Sequence, residues 1–245
     1  MIPEVAAQVP ASLSAYRDGV AAGPGGPEAR PLSALRDPAV FEATLSAFGA
    51  RCGACGSLDR RALVSYWSQF YLATLATPAL TALMRLGRPL PLAFDETSLE
   101  LDAAGRPARL LVDPDRLGDD PSAAPCPRSG LAGLVEAHLQ PFVALCQAQG
   151  GLAPRVLWGN AAVIFDYVAR ELGETDSPAC AEIAACLGWC AGPVCPRSPL
   201  AQALRPGDSG CRRRTCCLRH RLPGVPSCGS LCPLEHAQKP DPPRC

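Results

Sequence analysis

Cysteines are the residues of this sequence best suited to chemistry. The 245-residue chain contains 14 of them, and ten lie after residue 179. Four of these follow the pattern Cys-Cys-x10-Cys-x3-Cys, in a segment whose glycines and prolines let the backbone wrap around a small group: Cys216, Cys217, Cys228 and Cys232. Four thiolates this close in sequence are the ligand set that a tetrathiolate metal site requires.

Two kinds of metal site compete for this pattern. Structural zinc sites usually take paired ligands of the type Cys-x2-Cys, and a directly adjacent Cys-Cys pair is unusual for them. A cluster with two irons offers two separate anchor points, so that adjacent thiolates can be divided between the irons. The spacing therefore favours an iron–sulfur cluster. A non-catalytic binding domain whose C-terminal cysteines hold a structural zinc is the alternative.

The other cysteines show weaker patterns. Cys52 and Cys55 form a Cys-x2-Cys pair that lacks a partner pair, and a looser group is irregularly spaced: Cys180, Cys186, Cys190 and Cys195. We expect isolated thiols at these positions rather than a second metal site.

The elements that must position the four cysteines are mostly helices. Apolar residues recur at three-to-four spacing in two long segments, and Pro78 is expected to break or kink the first of them. Alternating apolar residues over 90–113 predict a small antiparallel β-meander, with a turn at 102–105. Prolines and glycines over 113–130 and 191–210 predict loops. The predicted helices cover 37–48, 60–76, 131–148 and 155–172, and a helical turn is expected at 179–189. Pro141 is expected to bend the helix at 131–148 or to split it in two.

This order of elements predicts the α+β class, as one α-dominated domain with a small antiparallel meander and a Cys-rich iron–sulfur module at the C-terminus. We divide the chain into a partly irregular N-terminal extension, the main α+β domain, the cluster module and a tail: residues 1–36, 37–210, 211–234 and 235–245.

The segment from Arg213 to Gly224, Arg-Arg-Thr-Cys-Cys-Leu-Arg-His-Arg-Leu-Pro-Gly, resembles the C-terminal [2Fe–2S] module of the FhuF-type ferric siderophore reductases. That family's motif is Cys-Cys-x10-Cys-x2-Cys. Three upstream segments are also similar to the family, which extends the resemblance over roughly residues 37–234: Leu63-Val-Ser-Tyr-Trp-Ser-Gln-Phe-Tyr, His138-Leu-Gln-Pro and Leu157-Trp-Gly-Asn-Ala-Ala. The spacing between the last two cysteines, Cys228 and Cys232, is one residue longer here than in the family's motif. Either a Gly-Ser loop absorbs the insertion and Cys232 is the fourth ligand, as we expect, or Cys211 supplies it.

The resemblance implies a cytoplasmic enzyme with a [2Fe–2S] cluster that passes one electron to Fe(III) held by a siderophore, expected to be of the hydroxamate type. Its candidate substrate contacts are Trp158, Asn160, His138 and Arg219, although core packing explains Trp158 and His138 more simply, and a local hydrogen bond near the helix start explains Asn160. The arginines of the module are expected to offset the charge of the cluster or to attract an acidic electron donor, unless they are a solvated loop: Arg212, Arg213, Arg214, Arg219 and Arg221.

Composition and charge exclude several classes of protein. A hydrophobic fraction of 48% with 19% charged residues excludes a disordered chain, and a formal net charge of zero argues against a nucleic-acid partner. The longest apolar stretch, residues 71–84, is too short to span a bilayer, although peripheral association with the inner membrane stays open. No dinucleotide fingerprint is present, so the electrons are expected from a separate donor protein or reductant. In the expected cytoplasmic setting the thiols stay reduced.

Overall fold

The computed structural model describes residues 1–52, 58–118, 126–173, 178–187, 198–207 and 210–234. Its helices are α1 Pro3–Ala6, α2 Pro38–Gly49, α3 Arg60–Arg85, α4 Pro127–Leu134, α5 Gln140–Gly150, α6 Pro154–Leu172, α7 Pro178–Cys186 and α8 Pro199–Gln202. The strands are β1 Val20–Ala22, β2 Arg30–Pro31, β3 Ser98–Leu101, β4 Pro107–Val112, β5 Leu204–Gly207 and β6 Gly210–Arg213. Helices predominate over a small sheet, which confirms the α+β class.

The central element is α3, which packs on α6 and carries most of the core. It begins after Asp59, whose side chain accepts hydrogen bonds from the amides of Arg61 and Ala62. The helix continues through Pro78 to Arg85 as one element, so the predicted end near residue 76 is wrong. Its second half is buried on every side, and this tertiary packing outweighs the loss of one backbone hydrogen bond at the proline.

The sheet is mixed, with the strand order β1-β4-β3-β2. The predicted antiparallel hairpin is present as β3 and β4, and its turn contains Asp102 and Gly105, the latter at a φ of 72°. In contrast, β1 pairs with β4 in parallel. Both β1 and β2 are contributed by the N-terminal 36 residues. The segment 90–94 is not a strand, because Pro89 and Pro91 lack the N–H groups that a strand ladder needs.

The remaining helices frame the site. The predicted helix at 131–148 begins earlier, at Pro127, and Pro141 is preceded by a π-helical turn at Val135–Leu139 rather than by a break. The second long helix, α6, has the predicted bounds. Residues 199–207 were expected in a loop but form α8 and β5, and the β5–β6 hairpin packs on α6 and leads directly into the cysteine segment.

No helix among the described residues is both long and apolar enough to cross a membrane.

Candidate metal centre

The four predicted ligands lie in the segment 211–234, which we call the cysteine module and which also contains Cys211. Cys217 is only 1% exposed, whereas Cys216, Cys228 and Cys232 are half-buried. The sulfur atoms of Cys217 and Cys228 are 3.7 Å apart and share a hydrogen bond. This contact lowers the pKa of Cys217 to about 5 and raises that of Cys228, so one thiolate forms readily within the pair.

The separation of one pair of sulfurs suits two ligands of the same metal. Metal–sulfur bonds of about 2.3 Å at the tetrahedral angle place two sulfurs about 3.8 Å apart, close to the Cys217–Cys228 separation. Zinc and the irons of a [2Fe–2S] cluster are both tetrahedral, so this distance fits a pair of ligands in either kind of site. Over the described ranges, no group of three or more His, Cys, Asp or Glu side chains is arranged to hold a metal ion.

Cys232 and Cys211 differ in their surroundings. Cys232 lies within electrostatic range of Cys216 and Cys228, because its charge acts to raise the pKa of both. Cys211 instead contacts α6, where Arg170 donates to its sulfur at 3.8 Å. His220 has a ring nitrogen 3.5 Å from the sulfur of Cys216. This geometry favours Cys232 over Cys211 as a member of the group.

A strained turn aims backbone amides at the adjacent sulfurs. Leu218 has a φ of 63°, the only positive φ of a non-glycine residue in the described part of the chain, and its amide donates to the sulfur of Cys216 at 3.3 Å. The amide of Arg219 donates toward Cys217 and contributes to its low pKa. Such amides stabilise thiolates and tune a cluster's potential, and sequence reasoning did not identify these two.

A buried hydrogen-bond network joins the cysteine module to the helix pair α3–α6. The hydroxyl of Ser65 in α3 donates to the carbonyl oxygen of Cys217 at 2.7 Å. Asn160 in α6 is fully buried, and its amide nitrogen donates to the hydroxyls of Ser65 and Ser68 at 3.0 and 3.1 Å. Asn160 therefore bonds across 95 positions of sequence rather than locally, and it supports a residue of the module without facing solvent.

Arg213, the last residue of β6, places a buried positive charge beside the cysteines. Its side chain is 2% exposed, and its Nε and Nη1 have no hydrogen-bond partner within the described residues. Burial lowers its pKa, whereas the charges of Cys217, Cys228 and Cys232 act to raise it. An unpaired guanidinium in the interior is unfavourable unless an opposite charge offsets it, so this arrangement suits an anionic tetrathiolate group.

The other arginines of the module have different environments. Arg219 donates to the side-chain oxygen of Gln69 at 2.8 Å and lies over the ring of Tyr66, and Arg221 forms an ion pair with Asp59 at 2.8 Å. Arg219 and Arg221 thus attach the module to α3 and its N-cap.

A groove of about 520 Å³ opens beside the cysteines. Its walls come from the 3₁₀-helix Ala11–Tyr16, from α3 and α6, and from the module through Arg213, Arg219 and residues 227–229. Cys228 is among the lining residues, so one of the four sulfur-bearing side chains borders this opening. Tyr167 of α6 also lines it and is 49% exposed, an unusual position for a large aromatic residue.

Comparison with known proteins gives two adjoining matches. The family described as "Ferric iron reductase FhuF-like transporter" matches residues 65–209, and the one described as "FhuF 2Fe-2S C-terminal domain" matches residues 213–234. This chain belongs to the FhuF family. Its class is therefore that of an iron–sulfur oxidoreductase acting on ferric iron, with a [2Fe–2S] cluster as the cofactor. The resemblance found in the sequence is confirmed.

A curated relative agrees with the family match. The protein named "Ferric siderophore reductase" from Escherichia coli (strain K12) is 26% identical to this FhuF-family chain over 180 residues. The alignment covers 72% of this chain and 67% of that protein.

Two residues that the sequence suggested as substrate contacts, His138 and Trp158, do not line the groove of this FhuF-family chain. His138 is fully buried, and burial lowers its pKa to about 4. Its Nδ1 donates to the carbonyl of Leu92 and its Nε2 accepts from the hydroxyl of Tyr71 at 2.6 Å, so both ring nitrogens are used within the core. Trp158 is half-buried against the core and does not line the groove. Of the four candidates, only Arg219 lines the groove.

Three other described cysteines of this FhuF-family chain lie in or against the core. Cys146 is buried in the core, and Cys52 and Cys186 are half-buried at its edge. Cys55, Cys190 and Cys195, together with the side chain of Cys180, are outside the described residues. The expectation of isolated thiols at these positions stays a prediction.

The network around Ser65 yields a test of how the module is attached. Ser65→Ala removes the donor to Cys217 and is expected to lower the free energy of unfolding by about 1–3 kcal/mol, because a buried carbonyl loses its partner. It is also expected to speed the loss of visible absorbance when an iron chelator is added. Ser68→Ala is the matched control, because Ser68 contacts Asn160 but makes no hydrogen bond to Cys217. Equal rates of bleaching in the two variants would contradict an anchoring role for Ser65.

Proposed function

We propose that this protein reduces siderophore-bound Fe(III) to Fe(II) by one electron, with Cys216, Cys217, Cys228 and Cys232 holding the [2Fe–2S] cluster. The observation that carries the proposal is the contact between Cys217 and Cys228, whose sulfurs are 3.7 Å apart, within the segment that matches the 2Fe–2S domain. The name of the Escherichia coli relative supports the siderophore as the carrier of the iron.

The arrangement of the sulfurs supports a division of the ligands into two pairs. Cys217 and Cys228 would hold one iron, because their separation suits two ligands of one tetrahedral metal. Cys216 and Cys232 would hold the other, and their charges interact. The adjacent cysteines 216 and 217 then bind different irons, which explains why a Cys-Cys pair is useful here. The longer spacing before Cys232 is absorbed by the 3₁₀ turn Gly229–Leu231.

The proposed reaction releases iron because of the preferences of its ligands. Hard oxygen donors such as hydroxamates bind Fe(III) tightly and Fe(II) poorly, so the added electron weakens the complex. When bound, the [2Fe–2S] cluster supplies electrons one at a time, which matches this step. The residues of this chain hold the cluster, offset its charge and bring the substrate close.

The proposal includes a hydroxamate substrate and a separate electron donor, either a protein or a small reductant. The sequence lacks a dinucleotide fingerprint, which supports an external donor. We place the reaction in the cytoplasm, with peripheral association at the inner membrane, because iron is released usefully only after the complex has been imported.

Arg213 is expected to raise the reduction potential of the cluster. Reduction adds a negative charge next to a buried guanidinium, which stabilises the reduced state. Arg213→Gln should shift the midpoint potential by about 60 mV in the negative direction, a tenfold change in a one-electron equilibrium. Arg213→Lys should recover most of the shift.

The control for this titration is Arg214→Gln, because Arg214 is the exposed neighbour in sequence. Potentials measured by redox titration should be equal in this variant and in the wild type. If the Arg213→Gln variant has full iron content and an unchanged midpoint potential, the guanidinium has no influence on the cluster.

The ligand set is tested by alanine substitution and elemental analysis after anaerobic purification. The wild type should contain about two irons and two sulfides per chain. Cys232→Ala should lose most of both, together with the visible absorption bands, whereas Cys211→Ala should retain them. A wild type that holds one zinc and no sulfide would refute the proposed function. Loss of the cluster in Cys211→Ala but not in Cys232→Ala would refute the ligand assignment alone.

A further inference from the structure

The groove beside the cysteine module provides a direct approach to the proposed cluster. Cys228 lines it, and the next residue, Gly229, also lies on its wall. Gly229 has a φ of 58°, and a side chain built there would meet no heavy atom of the described residues within 4 Å, so that part of the chain leaves the rim next to Cys228 uncovered. Because electron transfer slows steeply with distance, a substrate bound here would be favourably placed for reduction.

The walls of this groove are mainly apolar. The lining contains Phe70 of α3 and several aliphatic side chains, chiefly from α6: Leu13, Val163, Ile164, Val168 and Leu231. Tyr167 adds a half-exposed ring on the same helix. Such a surface recognises a ligand with an apolar exterior and disfavours one that would bring a high charge out of water.

The charges of the groove indicate the charge of its ligand. Its lining includes Arg213 and Arg219 and, within the described residues, no Asp or Glu. Arg213 already faces the cysteines, and Arg219 is engaged by Gln69 and by the ring of Tyr66. Little positive charge therefore remains to offset a highly anionic complex.

We propose that this groove binds an uncharged ferric trihydroxamate complex, with its iron-bearing side toward Cys228 and its apolar backbone against Ile164 and Tyr167. This inference rests on the proposed function and adds the location of the substrate and the residues that select it. Three hydroxamates, each with one negative charge, neutralise Fe(III), so the complex suits these walls. A tricatecholate complex of the same metal is highly anionic and would bind poorly.

The test uses a complex that binds but cannot be reduced, the gallium(III) complex of an uncharged hexadentate trihydroxamate. Titration calorimetry with the cluster-loaded protein gives its Kd. Tyr167→Ala should raise Kd about tenfold, and Ile164→Glu should raise it further, because it adds a charge to an apolar wall. In turnover with the ferric complex, KM should rise with Kd, while iron content and midpoint potential stay at the wild-type values.

Two controls share the same helix. Tyr167→Phe keeps the ring and should bind the gallium complex nearly as well as the wild type. Arg155→Ala changes an exposed residue that does not line the groove and should leave Kd within twofold. The gallium tricatecholate complex should bind at least tenfold more weakly than the trihydroxamate complex.

The outcomes separate this inference from the proposed function. If the wild type binds and reduces trihydroxamates and both groove variants do so equally well, the substrate site lies elsewhere and only the groove assignment is overturned. If the cluster-loaded wild type neither binds the gallium complex nor reduces the ferric one, the proposed function itself is overturned. Tighter binding of the tricatecholate complex than of the trihydroxamate complex would refute the proposal that the groove selects an uncharged ligand.

Discussion

The hydrogen bond from Ser65 to the carbonyl of Cys217 is the contact on which the site depends. The cysteine module is short and contributes few residues to the core, so it must be held in position by the larger part of the chain. Ser65 fixes a main-chain atom of a proposed ligand, and Asn160 holds Ser65 from the facing helix. Because these groups are buried, each needs its partner, and the network specifies one arrangement of α3, α6 and the module.

The second constraint is charge. A tetrathiolate cluster is anionic, and placing it at the base of a partly apolar groove requires a nearby positive group. The chain supplies that group as a buried arginine at the end of β6, four residues before Cys217. The backbone of Arg213 is fixed by β6, and the aliphatic part of its side chain lies next to Gly159 of α6. The same fold elements thus position the ligands, offset their charge and form the wall at which a substrate can approach.

The sequence predicted those parts of the fold that depend on local pattern. The bounds of α6 follow from Pro154, Gly173 and a regular apolar stripe, and the hairpin of β3 and β4 follows from alternation around an Asp–Gly turn. Pro78 misled the prediction for α3, since burial on all sides of a helix overrides a local helix breaker. The parallel pairing of β1 with β4 joins strands almost 90 residues apart, which no local pattern records.

The site was predictable to a similar extent. The four cysteines were selected because their residue type and spacing are chemically specific, and the structure places the sulfurs of two of them, Cys217 and Cys228, in contact. Ser65 and Arg213 could not be selected in the same way, because a serine on a helix and an arginine in an arginine-rich segment are ordinary residues until tertiary packing buries them. The sequence indicated Tyr167 only weakly as a residue of the groove, because it is an aromatic residue outside the apolar stripe of α6. For His138 the simpler of the two explanations from the sequence, a core histidine, agrees with its complete burial.

The most direct test of this account is a single-turnover experiment. The protein is reduced anaerobically, freed of excess reductant and mixed in a stopped-flow instrument with a ferric trihydroxamate complex and a ferrous-specific chelator. We expect one Fe(II) to be captured per cluster, at the same rate at which the absorption of the oxidised cluster returns. Fe(II) that appears without reoxidation of the cluster, or reoxidation that yields no Fe(II), would contradict the transfer of one electron from the cysteine-bound cluster to the siderophore iron.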